Sequence, residues 1–358
     1  MATVVLVITG AGGFLGWHLR VLARALGVPA PVLVHRADLD NPRMLDGADR
    51  VVHLAGINRG EDDRVARGNV EIAESLTRGL SRCATPPKTV VFANSTQAGN
   101  GTPYGDGKAA AAALIGEATR WSGSRFVDVR LPNLFGEHGR PHYNSVIATF
   151  CRTLVDGGTA RVDEDRPLDV LHATDAAARL LELPDPAATT RRSVRDLADT
   201  LTTCARLYRA GEIPALTDRF AVRLFNTYRS HCPVLDIPLP KHSDARGDLV
   251  EAVKVHGGGG QSFVSSTVPG VTRGDHFHLS KVERFVVLRG TAEICLRRLH
   301  HRAVTRILVH GDDPAVVDMP TMWAHSITNV GDDELLTLFW ANEVFDPAHP
   351  DTHPEPVT

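Results

Sequence analysis

A doubly wound α/β domain followed by an all-β barrel is the architecture the sequence predicts, and three observations predict it. Over the first 130 residues, short β-branched runs alternate with helical patterns, as in a parallel sheet wrapped by helices. The first of these runs ends in a glycine-rich turn that opens a helix. Beyond Ser243 the pattern changes to short β-rich segments punctuated by glycine, proline and aspartate, as in an antiparallel barrel or jelly roll. A chain of 358 residues is long enough for two domains, and the change of character places them at 1–242 and 243–358.

Val4–Thr9 is an apolar, β-branched run and reads as the first strand, and Leu15–Leu26 carries apolar residues at helical spacing behind it. Pro31–His35, Arg50–Leu54, Thr89–Ala93 and Arg125–Leu131 read as further strands, with a helix over Val70–Cys83 between two of them. The stretch from Arg36 to Asp49 has little room for a full crossover helix and strand, so that unit is abbreviated. From Ala187 to Leu224 the pattern is largely helical, and Cys232–Lys241, with three prolines and few charges, reads as a linker. Beyond it Leu249–Val255, Gln261–Thr267, Glu283–Leu288, Ala292–Leu296, Ala315–Met319 and Leu335–Trp340 read as strands.

Composition excludes several classes of function. Hydrophobic residues at 43% and charged residues at 23% are ordinary for a folded protein. Lys and Arg number 39 against 42 Asp and Glu, with no basic block, so nucleic acid is not an expected partner. No apolar run approaches the roughly 20 residues of a membrane helix, and Val4–Ile8 is too short for a signal peptide. Five scattered cysteines without C-x-x-C spacing predict free thiols in a reducing, cytoplasmic compartment. Eleven of the 17 histidines lie beyond residue 230, which directs the search for imidazole chemistry to the second domain.

In the first domain, Thr9-Gly-Ala-Gly-Gly-Phe-Leu-Gly16 spaces Gly10, Gly13 and Gly16 as G-x-x-G-x-x-G between a strand and a helix. Glycines there let the backbone of Gly10, Gly13, Phe14, Leu15 and Gly16 approach a pyrophosphate seated on the helix N-terminus. The second strand ends at Arg36, where an NAD enzyme usually offers an acid to the ribose, so NADP(H) is the expected cofactor; Asp38 nearby is the competing signal. Leu54, Ala55 and Gly56, small residues after the third strand, are expected under the nicotinamide half. Tyr104-Gly-Asp-Gly-Lys108 puts a phenol and an ammonium one helical turn apart. Lys108 and a nicotinamide cation would lower the phenol's pKa and make it a usable acid. Ser95, with Thr96 as the other candidate, lies at the end of the preceding strand and can reach the same carbonyl.

This set resembles the extended short-chain dehydrogenase/reductases, which modify sugar nucleotides. Asn69 falls where that family often carries a structural asparagine, although a helix cap accounts for it equally well. Arg130-Leu-Pro-Asn133-Leu-Phe-Gly136 also resembles the family, and the resemblance leads into substrate-binding loops. Asn133, Arg140 and Asn144 are the expected donors to a diphosphate or sugar.

In the second domain His276 and His278 alternate along an expected strand, so both imidazoles face one side. With Glu283 and His325 they can offer three nitrogens and a carboxylate to a divalent cation, Zn²⁺ being preferred. The spacing Gly270-x5-His276-x-His278-x4-Glu283-x6-Gly290, then Pro320-x4-His325-x3-Asn329, resembles both cupin motifs, with Met322 where the second commonly has glycine. Lys281 lies near the motif and is left outside the catalytic set.

Reductase and cupin in this order, with His53-Leu-Ala-Gly-Ile-Asn-Arg59, Pro141–Cys151 and Trp340-Ala-Asn-Glu-Val-Phe-Asp-Pro347, resemble one family over nearly the whole chain. That family is the bifunctional capsular-polysaccharide enzymes of UDP-N-acetyl-L-fucosamine synthesis. The resemblance implies a UDP-linked 4-keto-6-deoxy amino sugar as substrate, epimerisation at carbon 3 in the cupin, NADPH reduction at carbon 4 in the first domain, and a homodimer. Chemistry orders the steps, because the carbon-3 proton is acidic only while the carbon-4 ketone is present. Leu279, where the family often has a third histidine, motivates a second reading in which the cupin only binds substrate or dimerises. A nucleotide-sensing regulator is the non-catalytic alternative, against which the intact Ser95, Tyr104 and Lys108 argue.

Overall fold

The structure is a computed structural model describing residues 4–184, 187–234 and 236–358. Strands β1 (Leu6–Thr9), β2 (Val32–Val34), β3 (Arg50–His53), β4 (Thr89–Ser95) and β5 (Arg125–Leu131) form one parallel sheet in the order β2-β1-β3-β4-β5. The direction of strand addition reverses between β1 and β3, which is the topological switch point where α/β sheets bind ligands at strand C-termini. Helices α1 (Phe14–Ala25), α2 (Asp62–Leu80) and α3 (Pro103–Ser122) connect these strands. The abbreviated unit expected after Arg36 is two 3-10 turns, Arg36–Asp38 and Pro42–Met44, in place of a crossover helix and a further strand. One face of the sheet is sealed by Ile72, Leu76 and Leu80 of α2 and Ala111 and Ile115 of α3, packed with Val7, Val51, Val90 and Phe92. Burial of that apolar face, at roughly 25 cal/mol per Å², is the main term holding the helices on the sheet.

The chain continues through β6 (Asn133–Phe135), α4 (Val146–Val155), β7 (Pro167–His172), α5 (Ala173–Leu180), β8 (Thr190–Ser193), α6 (Val194–Arg209) and α7 (Arg219–Arg229). Strands β6, β7 and β8 make a small mixed sheet. Then come β9 (Ile237–Pro238), the hairpin β10 (Lys241–Asp244) and β11 (Gly247–Val250), β12 (Gln261–Thr267), β13 (Thr272–Phe277), β14 (Glu283–Arg289) and β15 (Thr291–Arg298). The last strands are β16 (Val304–His310), β17 (Ala315–Met319), β18 (Trp323–Asn329), β19 (Leu335–Ala341) and β20 (His353–Pro354). Two antiparallel sheets result, β12-β19-β14-β17-β9 and β16-β15-β18-β13-β20. Alternating residues of both, among them Phe285, Ile294, Leu296, Val317, Ile327 and Phe339, fill one core. This is the α/β domain followed by an all-β barrel of cupin type.

Packing divides the chain into two units, one of Met1–Phe135, Gly139–Val146 and Arg166–Ser193, the other of Gly136–His138, Ile147–Asp165 and Val194–Thr358. Helices α6 and α7 thus belong with the barrel. Arg284 of β14, fully buried, explains part of this: it donates to both oxygens of Asp318 at 2.7 and 2.8 Å and to the carbonyl of Gly211 at 2.6 Å. A buried guanidinium needs such a full set of acceptors.

Several elements differ from the pattern reading. The second connecting helix begins at Asp62, not Val70, because its first two turns are polar. Strands β16 and β18 were not expected, since charged and polar residues interrupt their alternation. The predicted strand Leu249–Val255 is the hairpin arm β11 and a loop. Within the predicted linker, Ile237–Pro238 pairs with β17 and Leu235 lies outside the described residues.

Candidate active sites

Gly10 has φ +70°, a left-handed conformation, and a Cβ on it would stand 2.7 Å from the backbone nitrogen of Ala55. The turns after β1 and β3 therefore touch at the switch point, and glycine is required where they meet. Gly16 is as tight, with an added Cβ 2.5 Å from the Gly10 carbonyl oxygen. Helix α1 follows with no side-chain cap on its first amides, so its N-terminus is open to an anion. Thr9 joins the two strand ends: its hydroxyl accepts from Leu54 N at 3.2 Å and Ala55 N at 3.3 Å and meets His53 Nδ1 at 2.8 Å. Arg36, exposed, opens the 3-10 turn that follows β2, the strand beside β1. These residues fit the diphosphate and ribose of a dinucleotide.

At the end of β4, Ser95 is buried and Thr96 is exposed. Tyr104 enters α3 in its first turn, where Pro103 opens the helix and the Thr102 hydroxyl caps Gly105 N at 3.1 Å. Burial raises the phenol's pKa, partly opposed by a side-chain hydrogen bond with Ser95. The expected lowering by Lys108 is not what the protein side alone produces; here the phenol is held protonated. Lys108 is buried, donates to the Ala93 carbonyl at 2.6 Å, and sits 4.0 Å over the Phe92 ring. Burial brings its pKa down to about 8, against a smaller opposing effect of Asp128.

The loop carrying Arg140 and Asn144 is gathered around Tyr143. Arg140 lies 4.8 Å and Arg59 5.6 Å from its ring centroid, and Arg59 also donates to the His142 carbonyl at 2.7 Å. Asn144 Nδ2 donates to the Asn58 carbonyl at 3.3 Å. Asn133 stands on β6, where its amide holds the Asp169 carbonyl at 3.2 Å. Spacing alone does not single out Arg59; its contacts with the loop at 142–143 place it among these residues. Asn69 is no helix cap: from within α2 it accepts from Ile57 N at 3.1 Å and donates to the Ile57 carbonyl at 2.7 Å, bracing the loop after β3.

In the barrel, His276, His278, Glu283 and His325 present donor atoms within 4.8 Å of one another. His276 lies on β13 and His278 just beyond its end, after a bulge at Gly274. His278 Nε2 is 3.1 Å and His325 Nε2 3.4 Å from the same carboxylate oxygen of Glu283. Both imidazoles are oriented from behind, His278 Nδ1 by the Asp351 carbonyl at 2.5 Å and His325 Nδ1 by the Trp323 carbonyl at 3.2 Å. A carbonyl only accepts, so each Nδ1 carries a hydrogen and each Nε2 is left to face the Glu283 carboxylate. The Nε2 of His325 is buried without a hydrogen-bond partner. Three imidazole nitrogens and a carboxylate oxygen converging in this way fit a divalent cation. Burial, reinforced by His325 and His278, brings the His276 pKa down to about 4. Burial pushes the Glu283 carboxyl up, but the imidazoles of His278 and His325 beside it outweigh that and hold it well below the usual range.

A cavity of about 340 Å³ opens on His276, Glu283 and His325, walled by Phe263, Phe285 and Phe339, with Arg273 beside it. A larger hollow, about 600 Å³, lies beside exposed Trp121 and contains none of the predicted site residues. Met322, where the second cupin motif commonly has glycine, takes φ +63° and donates from its backbone N–H to the His278 carbonyl at 2.7 Å. Lys281, beside the motif, is buried, bonded to the Pro350 carbonyl at 3.0 Å and 3.7 Å from Glu343.

Fold and sites together define a two-part protein, a dinucleotide-type α/β domain followed by a cupin-type barrel with a histidine–carboxylate cluster. The NAD dependent epimerase/dehydratase family matches residues 6–187, and the polysaccharide biosynthesis C-terminal domain matches residues 242–353. The chain belongs to the NAD dependent epimerase/dehydratase family. It is 31% identical to the UDP-2-acetamido-2,6-beta-L-arabino-hexul-4-ose reductase of Pseudomonas aeruginosa, over 97% of each chain. It is also 31% identical to the capsular polysaccharide assembling protein CapF of Staphylococcus aureus, with a TM-score of 0.60 over 98% of this chain and all of that one. A CapF structure with the inhibitor 3-isopropenyl-tropolone is 29% identical, with a TM-score of 0.54 over 98% of this chain and 99% of that one.

Proposed function

We propose that the chain is a two-site sugar-nucleotide enzyme. Its barrel epimerises carbon 3 of a UDP-2-acetamido-2,6-dideoxy-4-hexulose, and its α/β domain then reduces the carbon-4 ketone with NADPH. The observation that carries this reading is the Ser95, Tyr104 and Lys108 set beside the glycine turn, in a chain aligned over 97% with a named hexul-4-ose reductase. The functional division at 1–242 and 243–358, a cytoplasmic location and a homodimer belong to the same reading.

In the reductase, Gly10, Gly13, Phe14, Leu15 and Gly16 hold the diphosphate, Arg36 the 2′-phosphate, and Leu54, Ala55 and Gly56 underlie the nicotinamide. NADPH, when bound, supplies the hydride. Tyr104, kept protonated by burial, gives its phenolic proton to the carbon-4 oxygen, while Ser95 donates a hydrogen bond to that oxygen and Lys108 holds positive charge beside the phenol. Asn133, Arg140 and Asn144 bind the diphosphate and sugar. In the barrel, His276, His278, Glu283 and His325 hold Zn²⁺ or another divalent cation, which supplies Lewis acidity at the ketone oxygen.

The test is incubation of the keto-sugar nucleotide in deuterated water without NADPH. Exchange at carbon 3 supports the epimerase half. No exchange, with NADPH oxidation retained on an epimerised substrate, would leave the barrel as a binding or dimerising module. Absence of both activities would leave a nucleotide-sensing protein.

A further inference from the structure

We propose that Asp351 is a positioning residue for the metal centre, clamping the loop between His278 and Glu283 against Arg223 and Asn226 of α7. The proposal rests on the metal reading above. Four residues separate these two predicted ligands, and a loop that short fixes their mutual distance only if its own backbone is fixed.

Asp351 supplies one jaw. Its Oδ1 accepts from Leu279 N at 2.8 Å, and its Oδ2 accepts from Ser280 N and Lys281 N, both at 2.9 Å, and from Ser280 Oγ at 3.1 Å. Its backbone carbonyl takes the His278 Nδ1 hydrogen at 2.5 Å. One residue therefore sets both the ring orientation of a ligand and the path of the chain to the next. The second jaw is α7: Arg223 Nη1 donates to the Leu279 carbonyl at 2.8 Å, and Asn226 Nδ2 donates to the Ser280 carbonyl at 2.7 Å. Amides and carbonyls of the same two residues are thus held from opposite sides. Hydrogen bonds from a charged group to several amides are among the stronger ones in proteins, and outer partners of this kind orient ligands. This also gives Leu279 a backbone role that does not require an imidazole at that position.

The experiment uses the full chain stripped of metal and titrated with Zn²⁺ against a chromophoric chelator, and with Co²⁺ followed in the visible. Removing outer-shell partners typically costs about ten- to a hundredfold in metal affinity. Asp351→Ala is expected to raise the Zn²⁺ Kd by that factor, to change the Co²⁺ bands, and to speed amide exchange at 279–281. Asp351→Asn is expected to behave similarly, because an amide nitrogen cannot accept from the backbone amides it would face. Asn226→Ala removes a single donor, worth about three- to tenfold in Kd, and decides the matter should the Asp351 variants not fold. Affinities within about twofold of the parent, with unchanged Co²⁺ bands in every variant that folds, would overturn the proposal. A parent chain that takes up neither ion would instead overturn the metal reading itself.

Discussion

Lys108 donates from Nζ to the backbone carbonyl of Ala93 at 2.6 Å. That bond pins the ammonium beneath the end of β4, two residues before Ser95 and one helical turn from Tyr104. The three predicted reductase side chains are therefore held by a strand end and a capped helix start, both of which resist motion. A phenol kept protonated by burial suits the reductive direction, in which a proton must be given up.

Tyr104→Phe should lower NADPH oxidation by about two to four orders of magnitude, the usual contribution of a general acid. Carbon-3 exchange in the barrel should continue at the parent rate. Stopped-flow at 340 nm reads the first, and proton NMR the second. Retention of more than about a tenth of the reductase rate would remove Tyr104 from the proton-donor role.

Arg36 carries the cofactor prediction. Arg36→Ala should weaken NADPH about tenfold or more, as the loss of one charge-assisted hydrogen bond implies, and leave NADH nearly unchanged. Fluorescence titration with both cofactors separates the cases. Equal losses would show that the guanidinium does not meet a 2′-phosphate.

His325→Ala, or thorough chelation, should stop deuterium exchange at carbon 3 while reduction of an already epimerised keto-sugar continues. Each predicted ligand lies in the barrel and none in the reductase site. Full-rate exchange from protein holding under about a tenth of an equivalent of metal would make acid–base catalysis by side chains sufficient.

The His53 imidazole is brought down to about 3 from its usual 6.5 by burial, with Lys108 acting in the same direction. Between those values the unfolded chain binds more protons than the folded one, so stability falls as pH drops through that window. The contribution is whole above about pH 6.5. His53→Gln should therefore lose less stability than the parent between about pH 7 and about pH 4.5 in urea unfolding. Parallel losses in both proteins would show that His53 is not the linked group.

Met322 holds a left-handed backbone, φ +63°, with its side chain fully buried. That conformation costs about 1–2 kcal/mol for an L-residue, whereas removing a buried methionine side chain costs about 2–5 kcal/mol. Side-chain loss wins, so Met322→Gly should be destabilised by about 1–3 kcal/mol. Met322→Ala keeps the backbone cost and also loses the side chain, so it should be less stable than the glycine variant by about 1 kcal/mol. Chemical denaturation ranks the two, and the opposite order would argue against a left-handed turn.

Local chemistry was enough to read much of this protein. Apolar β-branched runs gave Gln261–Thr267, Ala315–Met319 and Arg125–Leu131 at their observed limits, because strand burial is an alternation between near neighbours. Spacing gave the glycine turn, Tyr104 with Lys108, and the four residues clustered in the barrel, because each motif has a rise and period that local geometry sets. Strands broken by charge, such as Val304–His310, escaped, since their pairing with β15 and not their own pattern makes them strands.

Tertiary structure alone decided what stands behind the motifs. Asp351 meets Leu279 across 72 residues of chain, Arg223 meets it across 56, and Arg59 meets His142 across 83. Nothing in the composition of either partner signals such a pairing; it exists because packed helices and sheets bring distant backbone together and leave polar groups that must be satisfied there. The same holds for the assignment of α6 and α7 to the barrel, which a buried guanidinium and its acceptors fix in space. The candidate chemical residues were legible because their motifs are short-range, while those that hold them in place were not, because support is delivered by the fold.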